Sequence, residues 1–226
     1  MSAASEIPGN RRLTVFVGAF GSGKTEIAIH YALLSHAAGR PTALVDLDIV
    51  NPYFRAQDHR AELEGAGVRL IGAPEGLDQF EVPALSPEIA GVIGDRHWWG
   101  VFDVGGDPIG ARTLGGYSGA IAAGRYDLWV VVNPYRPDTR TPAAIETMIR
   151  RIEAEARLSA TGVVANPHLG TETSADDIAA GLPVIREAAA RVGLPIIFVA
   201  AIASLAGRIT DRPVLPLTRR VRTPWE

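Results

Sequence analysis

The chain has no cysteine. Disulfides, thiolate-held metals and cysteine-ligated iron–sulfur clusters are excluded together. Lysine is nearly absent: of the 22 basic residues, all are arginine except Lys24. No apolar run approaches the ~20 residues of a membrane-spanning helix. The opening MSAASEIPGNRR carries no apolar signal core, which predicts a cytoplasmic protein. Cationic excess is missing too. The formal net charge of -3 argues against a nucleic-acid coat or a polybasic membrane binder. What remains is a 226-residue chain, 47% hydrophobic and 21% charged. That is enough for one full-sized α/β domain and short for two, so one domain over 1–226 is expected.

GAFGSGKT, Gly18 to Thr25, fits Gly-x-x-x-x-Gly-Lys-Thr at every fixed position. The one lysine in an arginine-rich chain stands where this pattern needs a slim ammonium between phosphate oxygens. Arginine's planar fork would not fit there. The apolar run LTVFV precedes the loop. KTEIAIHYALLSHAAG follows and reads as a buried helix closed by Gly39 and stopped by Pro41. Strand, Gly-rich loop and helix N-terminus together make an anion site. Gly18, Phe20, Gly21, Ser22, Gly23, Lys24, Thr25 and Glu26 are therefore the expected nucleotide-binding residues.

TALVDLD, VRLIG, WWGVFDVGGD, LWVVVNP, TGVVANP and PIIFVA read as further buried strands, with helical stretches between most of them. TPAAIETMIRRIEAEARL is the clearest helix. Thr141 caps it, Pro142 suits its first turn, and Ile145, Met148, Ile149 and Ile152 mark one face. Ser174 to Asp177 form a capping box, and Gly181 and Pro183 are expected to break or reset the helix that follows. This alternation predicts an α/β P-loop NTPase with a mostly parallel central sheet and helices on both faces. The stretch from Ile49 to Ile93 is the least regular and reads as a functional excursion.

Ligands of open α/β sheets bind beyond the carboxyl ends of the strands. Thr25 is placed to offer its hydroxyl to Mg²⁺, and Asp103 resembles the acidic end of a Walker B strand. Gly105 and Gly106 would let the next loop approach a γ-phosphate. Asp46 and Asp48 flank Leu47 and are expected to point to opposite faces, so that only one faces the nucleotide. Asp48, nearer the strand end, is assigned to polarising water or to the Mg²⁺ shell; Asp46 is as readily structural. Asn133 and Asn166 both end strands, and Asn166 is the better base-reading candidate. With Lys24 the only lysine, the Asn-Lys-x-Asp pattern of guanine readers cannot occur, which favours adenine. His97 to Trp99 read as packing at a strand entrance. Tyr53 and Phe54 are either core or an exposed contact patch.

With these residues in hand, the chain resembles the MinD/ParA/nitrogenase-iron-protein class of P-loop ATPases (the SIMIBI class). More narrowly, it is similar to little-characterised bacterial ATP-binding proteins of that superfamily carrying FGSGKTE, VDLDIVNPYFR and FDVGGD. The resemblance implies Mg²⁺-ATP binding, slow hydrolysis and a nucleotide-gated homodimer acting on a protein partner, with no membrane and no nucleic acid expected. It makes Asp48 the water-orienting switch carboxylate and Asp103 the Mg²⁺-associated one. Many members carry a second, signature lysine just after the first glycine of the loop; here that place is Ala19, and Arg112 is a candidate substitute. Two alternatives stand beside this reading: a small-molecule kinase or ligase of the dethiobiotin-synthetase type, and a DNA-partitioning ATPase.

Overall fold

In chain order the elements are β1 (Leu13–Gly18), α1 (Lys24–Ala37), β2 (Thr42–Asp46), α2 (Arg60–Gly65), β3 (Arg69–Ile71), α3 (Pro87–Gly94), β4 (Trp99–Gly105), α4 (Pro108–Gly115) and α5 (Ser118–Ala122). They continue with β5 (Tyr126–Val132), α6 (Pro142–Ala156), β6 (Gly162–Ala165), α7 (Ala175–Val192), β7 (Ile196–Ile202), α8 (Ala203–Ala206) and β8 (Val214–Leu217). The computed structural model describes residues 8–48, 56–72, 87–106, 108–210 and 212–220, with backbone only at 108 and 109. The strands form one sheet in the order β3-β2-β4-β1-β5-β6-β7-β8, and every pairing is parallel.

Strand direction and crossover hand fix where the helices lie. From β1 the chain steps one way to β2 and β3; from β4 it steps the other way to β5, β6 and β7. Right-handed crossovers then put the two sets of helices on opposite faces. Ile27 and Tyr31 of α1 and Leu63 of α2 share one core with Phe16, Leu44 and Trp129. Ile121 of α5, Ile145 of α6 and Ile185 of α7 share the other with Leu13, Val15 and Val17. The crevice where the direction reverses lies beyond the carboxyl ends of β1 and β4, and there the Gly-rich loop runs into α1. On the α1 face, Phe16, Tyr31, Trp129 and Phe198 meet edge to face at 5.2–5.8 Å between centroids. Such pairs add about 0.5–1.5 kcal/mol each beyond their buried area.

Thr141 caps α6, accepting the Ala144 N–H at 3.2 Å, and the expected apolar face of that helix is buried. Ser174 and Asp177 form the capping box of α7. The expected break at Gly181 and Pro183 does not occur: α7 runs unbroken from Ala175 to Val192. Pro183 is on the exposed side, as is Ala179, the residue whose carbonyl loses its helical partner, so water can serve that carbonyl. The buried side, with Ile178, Leu182 and Ile185, holds the helix together. Strand β8 was not legible in the sequence, because four residues containing Pro216 read as a loop; proline is tolerated here on a sheet edge. The excursion from Ile49 contributes α2, β3 and α3, while Tyr53 and Phe54 lie outside the described residues. Trp99 opens β4 with the Arg40 guanidinium 4.1 Å from its ring centroid, a packing role as expected. Among the described residues no helix is long and apolar enough to cross a membrane.

Gly181 faces the loops that follow β5 and β6. A Cβ there would lie 2.7 Å from Pro167 Cβ and 2.9 Å from Pro134 Cγ, atoms of stiff rings. Helix propensity alone favours alanine by about 1 kcal/mol. Gly181→Ala is nevertheless expected to destabilise, by about 1–3 kcal/mol of overpacking. The urea midpoint reads this out, and an unchanged or raised midpoint would refute it.

Candidate functional site

The loop from Gly18 to Gly23 is shaped by backbone that only glycine supplies cheaply. Gly21 and Gly23 have φ of 72° and 87°, in the left-handed region. Gly106, just past β4, packs so closely on Gly18 that any Cβ would collide with the Gly18 carbonyl. The Gly105-Gly106 segment thus lies directly against the start of the Gly-rich loop. Asn166 braces the loop from the end of β6, its amide donating to the Ser22 carbonyl at 2.7 Å. That bond makes Asn166 a positioning group for the loop, a role its strand-end location did not reveal. Asn133 is likewise built into its surroundings, donating to the His168 carbonyl at 2.9 Å and accepting the Tyr135 N–H at 3.1 Å. Phe20 is 67% exposed at the loop tip. The Glu26 carboxylate accepts the Arg220 N–H at 3.0 and 3.1 Å, tying the chain beyond β8 to the first turn of α1.

Lys24 is buried, and its ammonium lies 2.6 Å from the Asp48 carboxylate. Burial works to lower its pKa, but Asp103, Asp48 and Asp46 outweigh burial and the net direction is upward, so it stays charged. The expectation that Asp46 and Asp48 face opposite ways is overturned. Residues two apart on an extended chain share a face, and Asp48, two past Asp46, lies on its side with Leu47 in the opposite core; the Asp48 N–H donates to Asp46 Oδ1 at 3.1 Å. Asp46 is in register with Asp103 on the neighbouring strand, so both share the α1 face. All three carboxylates therefore converge on the lysine. Burial, then the neighbouring Asp103, pushes Asp46 up to about 8. Burial pushes Asp103 up to about 6 against the pull of Lys24.

Both Asp103 oxygens are buried and make no hydrogen bond of ordinary geometry among the described residues, although Thr25 stands close enough to favour the charged form. The Ser22 hydroxyl is similarly unpartnered. Orphaned acceptors beside a threonine hydroxyl fit a divalent cation. No three His, Cys, Asp or Glu side chains among the described residues could hold an ion alone. That suits Mg²⁺, which takes one or two protein oxygens and completes its shell with phosphate and water.

Beside the loop opens a pocket of about 250 Å³. Lys24, Thr25 and Glu26 line one end; Asn166 to His168, Ala200 to Ile202 and Leu217 line the other, with Arg136 and Arg219 at its margins. The sequence did not single out His168, Arg136 or Arg219. Their only signal was position just past a strand end. Arg112, the candidate substitute for the signature lysine, is exposed and pairs with Glu155 at 3.3 Å.

No protein-family model and no curated protein matches the chain. Solved structures do. Cell division protein FtsY from Thermotoga maritima aligns with a TM-score of 0.55 and 18% identity, over 86% of this chain and 63% of that one. The Signal Recognition Particle 54 kDa protein from Aeropyrum pernix, in complex with GDP, aligns with a TM-score of 0.53 and 21% identity, over 87% and 43%. FlhF complexed with GTP/Mg²⁺ gives a TM-score of 0.55 and 11% identity, over 85% and 66%. The chain thus spans two thirds or less of the length of these neighbours. The fold is the P-loop NTPase α/β fold, a parallel sheet flanked by helices.

His168 is half-buried beside the loop, its Nδ1 accepting the Gly170 N–H at 3.1 Å. Burial, then Arg136 and Arg219, push its pKa from 6.5 down to about 4. In the unfolded chain the imidazole takes up its proton near pH 6.5, while the folded state resists until about pH 4. Stability tied to His168 is therefore complete above pH 6.5 and lost as pH falls toward 4. His168→Gln should lose up to about 3 kcal/mol less stability than the parent between pH 7 and pH 4. Denaturant titrations at both pH values decide it, and parallel losses would refute it.

Proposed function

We propose that the chain is a Mg²⁺-dependent P-loop ATPase that works as a nucleotide-gated homodimeric switch on a protein partner. The observation that carries this reading is the buried Lys24, seated in a complete phosphate loop and faced by Asp48 and by the unpartnered Asp103. The loop amides and Lys24 hold the β- and γ-phosphates. Thr25 and Asp103 hold Mg²⁺, which neutralises charge developing on the transferred phosphoryl group. Asp48 orients the attacking water, and once phosphates draw Lys24 away its carboxylate is released for that task. Proximity and charge stabilisation do the catalytic work, so turnover without a partner is slow.

Adenine is supported by the pocket wall. A guanine reader needs a carboxylate to accept the base's edge donors, and the one carboxylate among the described residues lining the pocket, Glu26, is engaged by the Arg220 backbone. The named neighbours bound to GDP and to GTP make the comparison with GTP the necessary control.

Calorimetry with ATP and GTP tests the reading first. Lys24→Ala should fold and bind ATP at least tenfold more weakly, since a charge-assisted contact is worth ~1.5–3 kcal/mol. Undiminished affinity would overturn it, and tighter GTP binding would move the base assignment. Asp48→Asn should keep ATP binding while single-turnover hydrolysis slows by two orders of magnitude or more, roughly the scale of one lost positioning group. The same variant isolates the switch: light scattering should give a larger mass with Mg²⁺-ATP than with ADP. Equal masses would remove the dimer and favour a small-molecule enzyme.

A further inference from the structure

Phosphate binding in this fold asks for more positive charge than one lysine already paired with a carboxylate. Ala19, which is uncharged, occupies the loop position where the resemblance implies a second lysine. The structure brings another cation to the loop from the opposite direction. Arg136, in the turn between β5 and α6, donates from Nε to the Gly21 carbonyl at 2.9 Å. The approach is close: a Cβ on Gly21 would lie 3.0 Å from that Nε and 3.4 Å from Cζ. Among the described residues, the other guanidinium N–H groups make no hydrogen bond and no ion pair. Arg136 lines the same pocket as Gly21, Gly23, Lys24 and Thr25.

The turn that carries Arg136 is held before any ligand arrives. Asn133 is bonded to Tyr135 and His168, the Thr139 N–H donates to the Arg136 carbonyl at 3.0 Å, and Tyr135 donates to the Asp177 carbonyl at 2.5 Å. Its charge is felt within the pocket, since it helps hold the half-buried His168 neutral. We infer that Arg136 is a second phosphate-binding cation, supplied within the same chain, that takes the place of the missing lysine. Its Nε bond fixes the plane of the fork, and the remaining donors are left for phosphate oxygens, the geometry in which arginine binds anions best. A cation bonded to the loop backbone needs no partner subunit, so phosphate affinity in the isolated chain does not depend on dimer formation.

This inference rests on the nucleotide reading above, and the test separates the two. Arg136→Gln keeps an N–H able to brace Gly21 but loses the charge; Arg136→Lys keeps the charge. Calorimetry with ATP and with inorganic triphosphate, at protein concentrations where light scattering shows monomer, should give affinities about tenfold weaker for the Gln variant. The Lys variant should recover at least part of that loss. Wild-type affinity in Arg136→Gln, or a Lys variant no better than the Gln variant, overturns the inference and leaves a bracing role only. Failure of the nucleotide reading looks different: the parent chain itself binds neither probe, or Lys24→Ala binds them as well as the parent.

Discussion

Everything in this molecule's site depends on one buried ammonium. A lysine taken out of water must be paired and hydrogen-bonded or it loses its proton. Lys24 remains charged because the sheet delivers carboxylates to it. The parallel register that pairs Asp46 with Asp103 sets both on the α1 face, and Asp48, two residues past Asp46, follows on the same side to 2.6 Å from the ammonium. The arrangement is over-supplied with negative charge: three acids face one base. Burial answers the excess by holding protons on Asp46 and Asp103 to higher pH than usual. Such a cluster stabilises the fold little, since desolvation offsets the Coulomb gain. Its value is that it holds charge ready for a cation and a polyanion to rearrange.

The phosphate loop is held by groups remote in sequence. Arg136 reaches Gly21 across 115 positions, Asn166 reaches Ser22 across 144, and Arg220 reaches Glu26 across 194. Glycines make the first two approaches possible, since a Cβ on Gly21 would crowd Arg136 and one on Gly23 would collide with Asn166. The two loops that supply Arg136 and Asn166 rest in turn on α7 through Pro134 and Pro167. A ligand in the loop therefore touches a network that includes both faces of the sheet. Binding to such a site stabilises the whole native state by mass action, rather than one local turn.

How much of this could be read in the sequence follows from the range of each interaction. Seven strands, the caps of α6 and α7, and the loop from Gly18 to Thr25 are local patterns, and they were legible. Pro183 misled because local propensity predicts a break, whereas the buried face of α7 and solvent access at Ala179 decide the outcome. β8 was hidden because an edge strand needs no apolar alternation and tolerates Pro216. Setting Asp46 and Asp48 on opposite faces misapplied the strand period: residues two apart share a face, so alternation itself puts the two carboxylates together and sends Leu47 to the opposite core. Arg136, His168 and Arg219 were invisible for a different cause: their meaning comes from which strands are neighbours, and strand order is a tertiary fact.

The site divides into two ends of unlike chemistry, and that division follows from the same topology. Charge collects where β2, β4 and the start of α1 meet, because those strand ends carry Asp48, Asp103 and the lysine. The ends of β6 and β7 carry Asn166, Pro167, His168 and the Ala200 to Ile202 run instead. His168 could bring a charge there, but burial and two arginines keep it neutral. Glu26 could bring the opposite charge, but the Arg220 backbone holds its carboxylate. A ligand that matches both ends needs a polyanionic head and a flat, uncharged tail with modest hydrogen-bonding demand. A nucleoside triphosphate has that shape. On the proposed nucleotide reading, a base edge rich in donors would find no free carboxylate among the described residues lining the pocket.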